Sequence, residues 1–94
     1  MMDVAMHYVG ALSRIVGLQD ERYMLPGSAT LRELIGAIHA RHAALPPGTF
    51  LADDGTFSPS VVFMVQGSAC RRLDAPLGDG TEVSVMALTP SVGG

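Results

Sequence analysis

Leu77-Gly78-Asp79-Gly80-Thr81-Glu82-Val83-Ser84-Val85-Met86-Ala87-Leu88, followed by Thr89-Pro90-Ser91-Val92-Gly93-Gly94, is the stretch on which the fold turns. Leu77 to Gly80 reads as a tight connection, because glycine on both sides of an aspartate lets the chain reverse sharply. From Glu82 to Leu88 apolar residues alternate, with Val83, Val85 and Ala87 on one face, which predicts a strand. The alternation ends at Thr89, and Pro90 stiffens the exit from that strand. A Gly-Gly ending occurs by chance in roughly one chain in 200 when glycine makes up about 7% of residues. Without Cβ atoms this end is thin enough to be threaded into an enzyme, and its carboxylate can be activated without disturbing a fold. The plain alternative is a frayed terminus.

Working outward, the 94 residues suit one domain with a single modest core. Apolar residues at 48% and charged residues at 16% indicate a folded chain. The longest apolar run, Val61 to Val65, is too short to span a bilayer, and Asp3 and His7 interrupt any secretory signal. The single cysteine, Cys70, excludes an internal disulfide framework and fits a reducing compartment, so a cytoplasmic location is expected. Net charge is −3, and all six basic residues are arginine, at 14, 22, 32, 41, 71 and 72. No basic stripe is present, so neither nucleic acid nor membrane is expected as a partner.

Asp3 to Val9 alternates, with Val4, Met6 and Tyr8 on one face and Ala5, His7 and Val9 on the other, apolar enough for a central strand. Ala11 to Val16 predicts a short helical turn stopped by Gly17, and Arg22 to Leu25 a second strand ended by Pro26-Gly27. Thr30 with Glu33 forms a capping box. Behind it Leu31, Leu34, Ile35, Ile38 and His42 share one helical face, with Arg32, Glu33 and Arg41 on the wet side. Gly36 costs about 1 kcal/mol inside a helix, which suggests close packing there. Pro46-Pro47-Gly48 is expected to end the helix. Residues 49–59 read as a loop turning at Asp54-Gly55 and pinned by Phe50, Leu51 and Phe57. A strand at Val61–Val65, a Gln66-Gly67 turn and a short strand near Cys70 to Leu73 follow. One helix covers one face of such a sheet, so the expected architecture is two-layer α+β.

Few side chains suggest chemistry of their own. His7, His39, His42 and Cys70 lack the paired spacing of zinc ligands, so no metal is expected. Cys70 has no recognisable partner as a nucleophile. Arg71-Arg72 reads as a solvated turn, with an acidic partner surface as the alternative, and Asp53, Asp54 and Asp79 as turn formers.

Three stretches together resemble the ubiquitin-like β-grasp sulfur carriers, the family of the molybdopterin synthase small subunit and the thiamine-pathway carrier. They are Gly10 to Gly17 between the first two strands, Thr30-Leu31-Arg32-Glu33-Leu34 at the helix start, and Leu77 through Pro90 to Gly93-Gly94. The chain has Gln66-Gly67 where the family usually has Asn-Gly, and Thr81 where aspartate is more usual. Its loop from Pro46 to Ser60 is longer than in the compact thiamine type, which suggests the longer molybdopterin-type or stand-alone carriers.

The resemblance implies a β-grasp domain over 1–88, a mixed four- to five-stranded sheet with one main helix on one face, and a flexible tail over 89–94. It implies a carrier that is not itself an enzyme and binds no cofactor. Gly94 would supply the carboxylate that an E1-like enzyme, using ATP and magnesium, adenylates before conversion to a thiocarboxylate. Gly93, Val92 and Pro90 would be recognised as the tail enters its partners. Those partners would be the adenylating enzyme, a sulfur donor of cysteine desulfurase or rhodanese type, and a larger synthase subunit or other acceptor. Docking would use an apolar patch on the sheet face opposite the helix, for which Val9, Met86 and Leu88 are the candidates. Molybdopterin synthesis is the leading pathway, with thiamine, cysteine, tRNA-thiolation and secondary-metabolite routes as alternatives. A modifier joined to lysines through Gly94, and an interaction module with idle glycines, are the competing classes.

Overall fold

The computed structural model describes residues 1–88; the predictions made for Thr89 to Gly94, including the tail's flexibility and recognition, lie outside the described residues. Two neighbouring strands open the chain. β1 (Met2–Val9) pairs antiparallel with β2 (Asp20–Leu25), and the short helix α1 (Ala11–Val16) joins them. Gly17 ends α1 at φ 97°, and its N–H donates to the Ser13 carbonyl at 2.9 Å, a conformation that side chains with a Cβ resist.

Helix α2 (Leu31–Arg41) opens on a capping box, in which the Thr30 N–H donates to Glu33 Oε2 at 3.3 Å. Its next two backbone donors, Leu31 and Arg32, find the carbonyls of Ala75 and Leu73 at 3.0 and 2.9 Å. That contact corrects the prediction of a strand near Cys70 to Leu73. Strand β4 is Ser68–Cys70, and the chain beyond it leaves the sheet to satisfy the start of α2. The helix also stops earlier than Pro46, at Arg41, with His42 as its C-cap at φ −115° and ψ 72°. Close packing at Gly36 is absent, because a Cβ built there meets nothing within 4 Å.

β3 (Val61–Val65) and β5 (Glu82–Ala87) complete a mixed five-stranded sheet in the order β2-β1-β5-β3-β4, with β1 and β5 parallel. The Leu77–Thr81 turn is stitched to β1: Gly80 donates to Asp3 at 2.8 Å, and Ala5 donates to the Thr81 carbonyl at 3.0 Å. Buried Thr81 holds the turn from inside, its Oγ1 accepting from the Gly78 N–H at 2.9 Å.

The β3–β4 hairpin has positive φ at both central residues, 51° at Gln66 and 81° at Gly67, the type I′ pattern that matches strand twist. Left-handed backbone costs a residue such as glutamine roughly 1–2 kcal/mol. Here Gln66 is tied twice to Glu82, through its N–H at 2.9 Å and its side-chain oxygen at 3.2 Å, which offsets that cost. The chain's departure from Asn-Gly therefore has a partner.

Alternation decides the two faces. Met2, Val4, Met6, Tyr8, Tyr23, Leu25, Val61, Phe63, Val83 and Val85 are buried beneath Leu31, Leu34, Ile35 and Ile38 of α2. The long loop adds Phe50 to this core, set edge-on to Phe63 with ring centroids 5.6 Å apart. The architecture is β-grasp, as the resemblance implied. Among the described residues no helix is long and apolar enough to cross a membrane.

Candidate functional site

Among the described residues the opposite face of the sheet carries no helix, and its strands present Asp3, Ala5, His7 and Val9 from β1 and Glu82, Ser84 and Met86 from β5. Register brings the predicted patch together. Val9 lies beside Met86 across the parallel β1–β5 pair, and Met86 lies opposite Val62 across the antiparallel β5–β3 pair. These three side chains form an apolar row over the sheet's centre. Leu88 follows Met86 by two residues and therefore shares its face. The Leu88 N–H donates to the Ser60 carbonyl at 2.7 Å, which extends the β5–β3 pairing to the root of the tail. Val9 is 40% exposed and Leu88 49%, so neither serves the core. Val62 belongs to the row and was absent from the predicted set; the alternation of Val61–Val65 places it on this face, but the flat apolar run concealed which members were outside.

The other end of the same face is polar. His7 stands between Asp20 on β2 and Glu82 on β5, with Nδ1 2.5 Å from Asp20 Oδ1 and Nε2 3.2 Å from Glu82 Oε1. The hydrogen bond to Asp20, helped by Glu82 and opposed by burial, raises the imidazole above its ordinary pKa. Beside this triad Arg22 pairs with Asp3, and Asp79 accepts the Asp3 N–H at 2.7 Å. The apolar row is thus rimmed by charge towards β2, the arrangement of an interface with a dry centre and a polar edge.

A second ionic cluster lies under the helix and is structural. Glu21, with only 7% of its side chain exposed, accepts the Tyr8 and Tyr23 hydroxyls at 2.7 and 2.9 Å. His42 Nε2 lies 2.8 Å from the same oxygen, and Arg41 Nη1 donates to the other at 3.3 Å. Burial opposes the charge on Glu21, but the hydrogen bonds from Tyr8, His42, Tyr23 and Arg41 together hold its carboxyl below the ordinary range. Burial, reinforced by the bond to Glu21, raises the Tyr8 phenol, and burial pushes Tyr23 up to about 12. Arg41 also lies 3.9 Å over the Tyr23 ring. This lock ends α2 at His42 and clamps it to β1 and β2.

Among the described residues no cluster of His, Cys, Asp and Glu could hold a metal ion. Cys70 is a half-buried free thiol whose Sγ lies 3.5 Å from the Arg72 carbonyl. Arg72 pairs with Asp74, and Asp54 accepts both the N–H and hydroxyl of Thr56, as turn formers do. Gly94, Gly93, Val92 and Pro90 lie outside the described residues.

The sequence model of the ThiS family matches residues 6–94. The chain belongs to the ThiS family. Its family is one of small ubiquitin-like carrier proteins. Solved structures share the fold over nearly the whole chain. Small archaeal modifier protein 1 of Haloferax volcanii is 20% identical with a TM-score of 0.83, covering 95% of this chain and 100% of its own. A Pyrococcus furiosus protein described as molybdopterin converting factor, subunit 1, is 26% identical with a TM-score of 0.76, over 95% and 100%. A complex of subunits 1 and 2 of the Helicobacter pylori molybdopterin-converting factor contains a chain 18% identical, with a TM-score of 0.59 over 99% and 100%. No curated relative matches the chain.

Proposed function

We propose that this ThiS-family chain carries sulfur as a C-terminal thiocarboxylate on Gly94. The observation that carries the reading is the family match, which runs through the terminal stretch to Gly94. A carboxylate is a poor electrophile, so it needs a leaving group before sulfur can be attached. An E1-like enzyme supplies one by adenylation with ATP and magnesium, releasing pyrophosphate. The donor's persulfide then displaces AMP from the acyl carbon, and a thiol reductant cleaves the resulting acyl disulfide, leaving the thiocarboxylate on Gly94 and a disulfide between donor and reductant. The chain contributes the carboxyl group, the narrow Gly93-Gly94 end and a docking face, and no catalytic side chain. Six residues after Leu88 reach roughly 20 Å when extended, enough to enter a deep site while the domain stays outside.

The apolar row of Val9, Met86 and Val62, with Leu88 at the tail's root, is the surface on which the adenylating enzyme and a larger acceptor subunit would dock. Molybdopterin synthesis is the leading pathway, supported by the likeness to the Pyrococcus furiosus protein and by the longer 46–60 loop.

Intact mass of the protein from its native host tests the reading. One oxygen replaced by sulfur supports the carrier, covalent adducts through Gly94 would make it a protein modifier, and unmodified protein in an active pathway would leave the glycines idle. Gly93→Val should abolish thiocarboxylate formation without changing stability. Leu88→Glu should weaken docking of a folded protein, because burying a carboxylate without a partner costs several kcal/mol.

A further inference from the structure

Beside the root of the tail the long loop, the β3–β4 end of the sheet and Leu88 enclose a cleft of about 530 Å³. Its walls include Phe57 and Pro59 from the loop, Val62 from β3, and Cys70 and Arg71 from the end of β4. The loop is held in place to form it: Phe57 packs on Phe63 with ring centroids 5.6 Å apart, and the Ser58 N–H donates to the Phe50 carbonyl at 2.9 Å. Two residues of the cleft, Val62 and Leu88, also belong to the open-face row, so the two surfaces are continuous.

Charge at the cleft is one-sided. Arg72 turns to Asp74, while exposed Arg71 makes no ion pair among the described residues. An apolar hollow with one unengaged guanidinium at its rim fits an apolar side chain next to a carboxylate, since guanidinium and carboxylate match in geometry as well as charge.

We infer that the cleft is a second anchoring point for the protein that encloses the tail, occupied by an apolar side chain of that partner with a neighbouring carboxylate on Arg71. The inference rests on the carrier reading, because only a partner enclosing a tail rooted at Leu88 must roof the cleft beside it. The cleft depends on the 46–60 loop and so distinguishes the partners of this chain.

Cys70 is the single cysteine and lines the cleft, so its alkylation by iodoacetamide, read by mass, reports occupancy directly. The probe is the E1-like adenylating enzyme that the carrier reading requires. Saturating enzyme should slow Cys70 alkylation about tenfold. Arg71→Glu should raise Kd about tenfold at unchanged Tm, with Arg71→Lys falling between wild type and Arg71→Glu because it keeps the charge without the fork. Undiminished alkylation in a complex that Val9→Glu still abolishes would overturn the cleft anchor and leave the docking face intact. Protection that survives with Val9→Glu binding normally would support the cleft and remove the face instead. A chain ending at Leu88 that alkylates faster than the full chain without enzyme would make the tail the occupant and overturn the inference. Alkylation that slows with the chain's own concentration would do the same in favour of a second copy.

Discussion

The two faces of the sheet are made from alternate residues of the same strands and obey different rules. The helix-covered face is apolar from end to end, interrupted only where Glu21 gathers Tyr8, Tyr23, Arg41 and His42. Apart from exposed Met24 at the β2 edge, the open face is sorted, with Asp3, Arg22, His7, Asp20 and Glu82 towards β2 and Val9, Met86 and Val62 towards the tail's root. Burial demands apolar residues everywhere on the covered side. Solvent makes no such demand on the other side and gives no reason to gather apolar residues there, so segregation on that face points to a partner.

Substitution can break this comparison most sharply in the core. Leu34→Ala or Ile38→Ala should cost about 2–5 kcal/mol by chemical denaturation, because each leaves a cavity against the sheet. Met86→Ala and Val9→Ala, on the open face, should stay within about 0.5 kcal/mol. Equal losses on both faces would mean that the open row is core.

Glu21→Ala should follow at about 2–3 kcal/mol, since the Tyr8 and Tyr23 hydroxyls lose their shared acceptor. The folded Glu21 carboxyl is held below its ordinary range, so its stabilising effect is present above the unfolded value near 4.5 and is lost as pH falls through the folded one. A stability profile below pH 4.5 should therefore be flatter for Glu21→Gln than for wild type. An equally steep acid limb would place the acid-sensitive group elsewhere.

Gly36→Ala should raise stability by about 0.5–1 kcal/mol, because the site is exposed and an added Cβ meets nothing within 4 Å. A loss on thermal melting would show that α2's outer surface is packed against something.

The smallest effect belongs to His7. Its folded pKa is raised, so its stabilising effect is complete below the ordinary value of 6.5 and is lost as pH rises through the folded value. The Asp20 carboxylate is largely exposed, so solvent holds the effect to about 0–1 kcal/mol. An NMR titration should find the His7 midpoint lowered in Asp20→Asn, and an unmoved midpoint would refute the pairing.

Much was legible in the chain because local chemistry carried it. Thr30 and Glu33 marked the start of α2, Gly17 the end of α1, and the alternation at Asp3–Val9 and Glu82–Leu88 marked β1 and β5 and divided their residues into two faces as the structure does. Val9, Met86 and Leu88 came from the same alternation. Errors fell where a distant partner decides. The strand expected near Leu73 yields to the unpaired N–H groups of α2, and the helix expected to reach Pro46 stops where Glu21 holds His42.

By itself the sequence determined most of the elements, the inner face of α2, the alternation of β1 and β5 and the Gly-Gly end, since periodicity and capping act between residues a few positions apart. Tertiary structure alone decided the parallel pairing of β1 with β5, which sets Val9 beside Met86 and stretches His7 between Asp20 and Glu82. It also decided the cleft beside Leu88, whose walls come from segments far apart in the chain. Such contacts depend on which strands meet and in what register. The core's burial selects that register globally, and no short stretch of sequence records it.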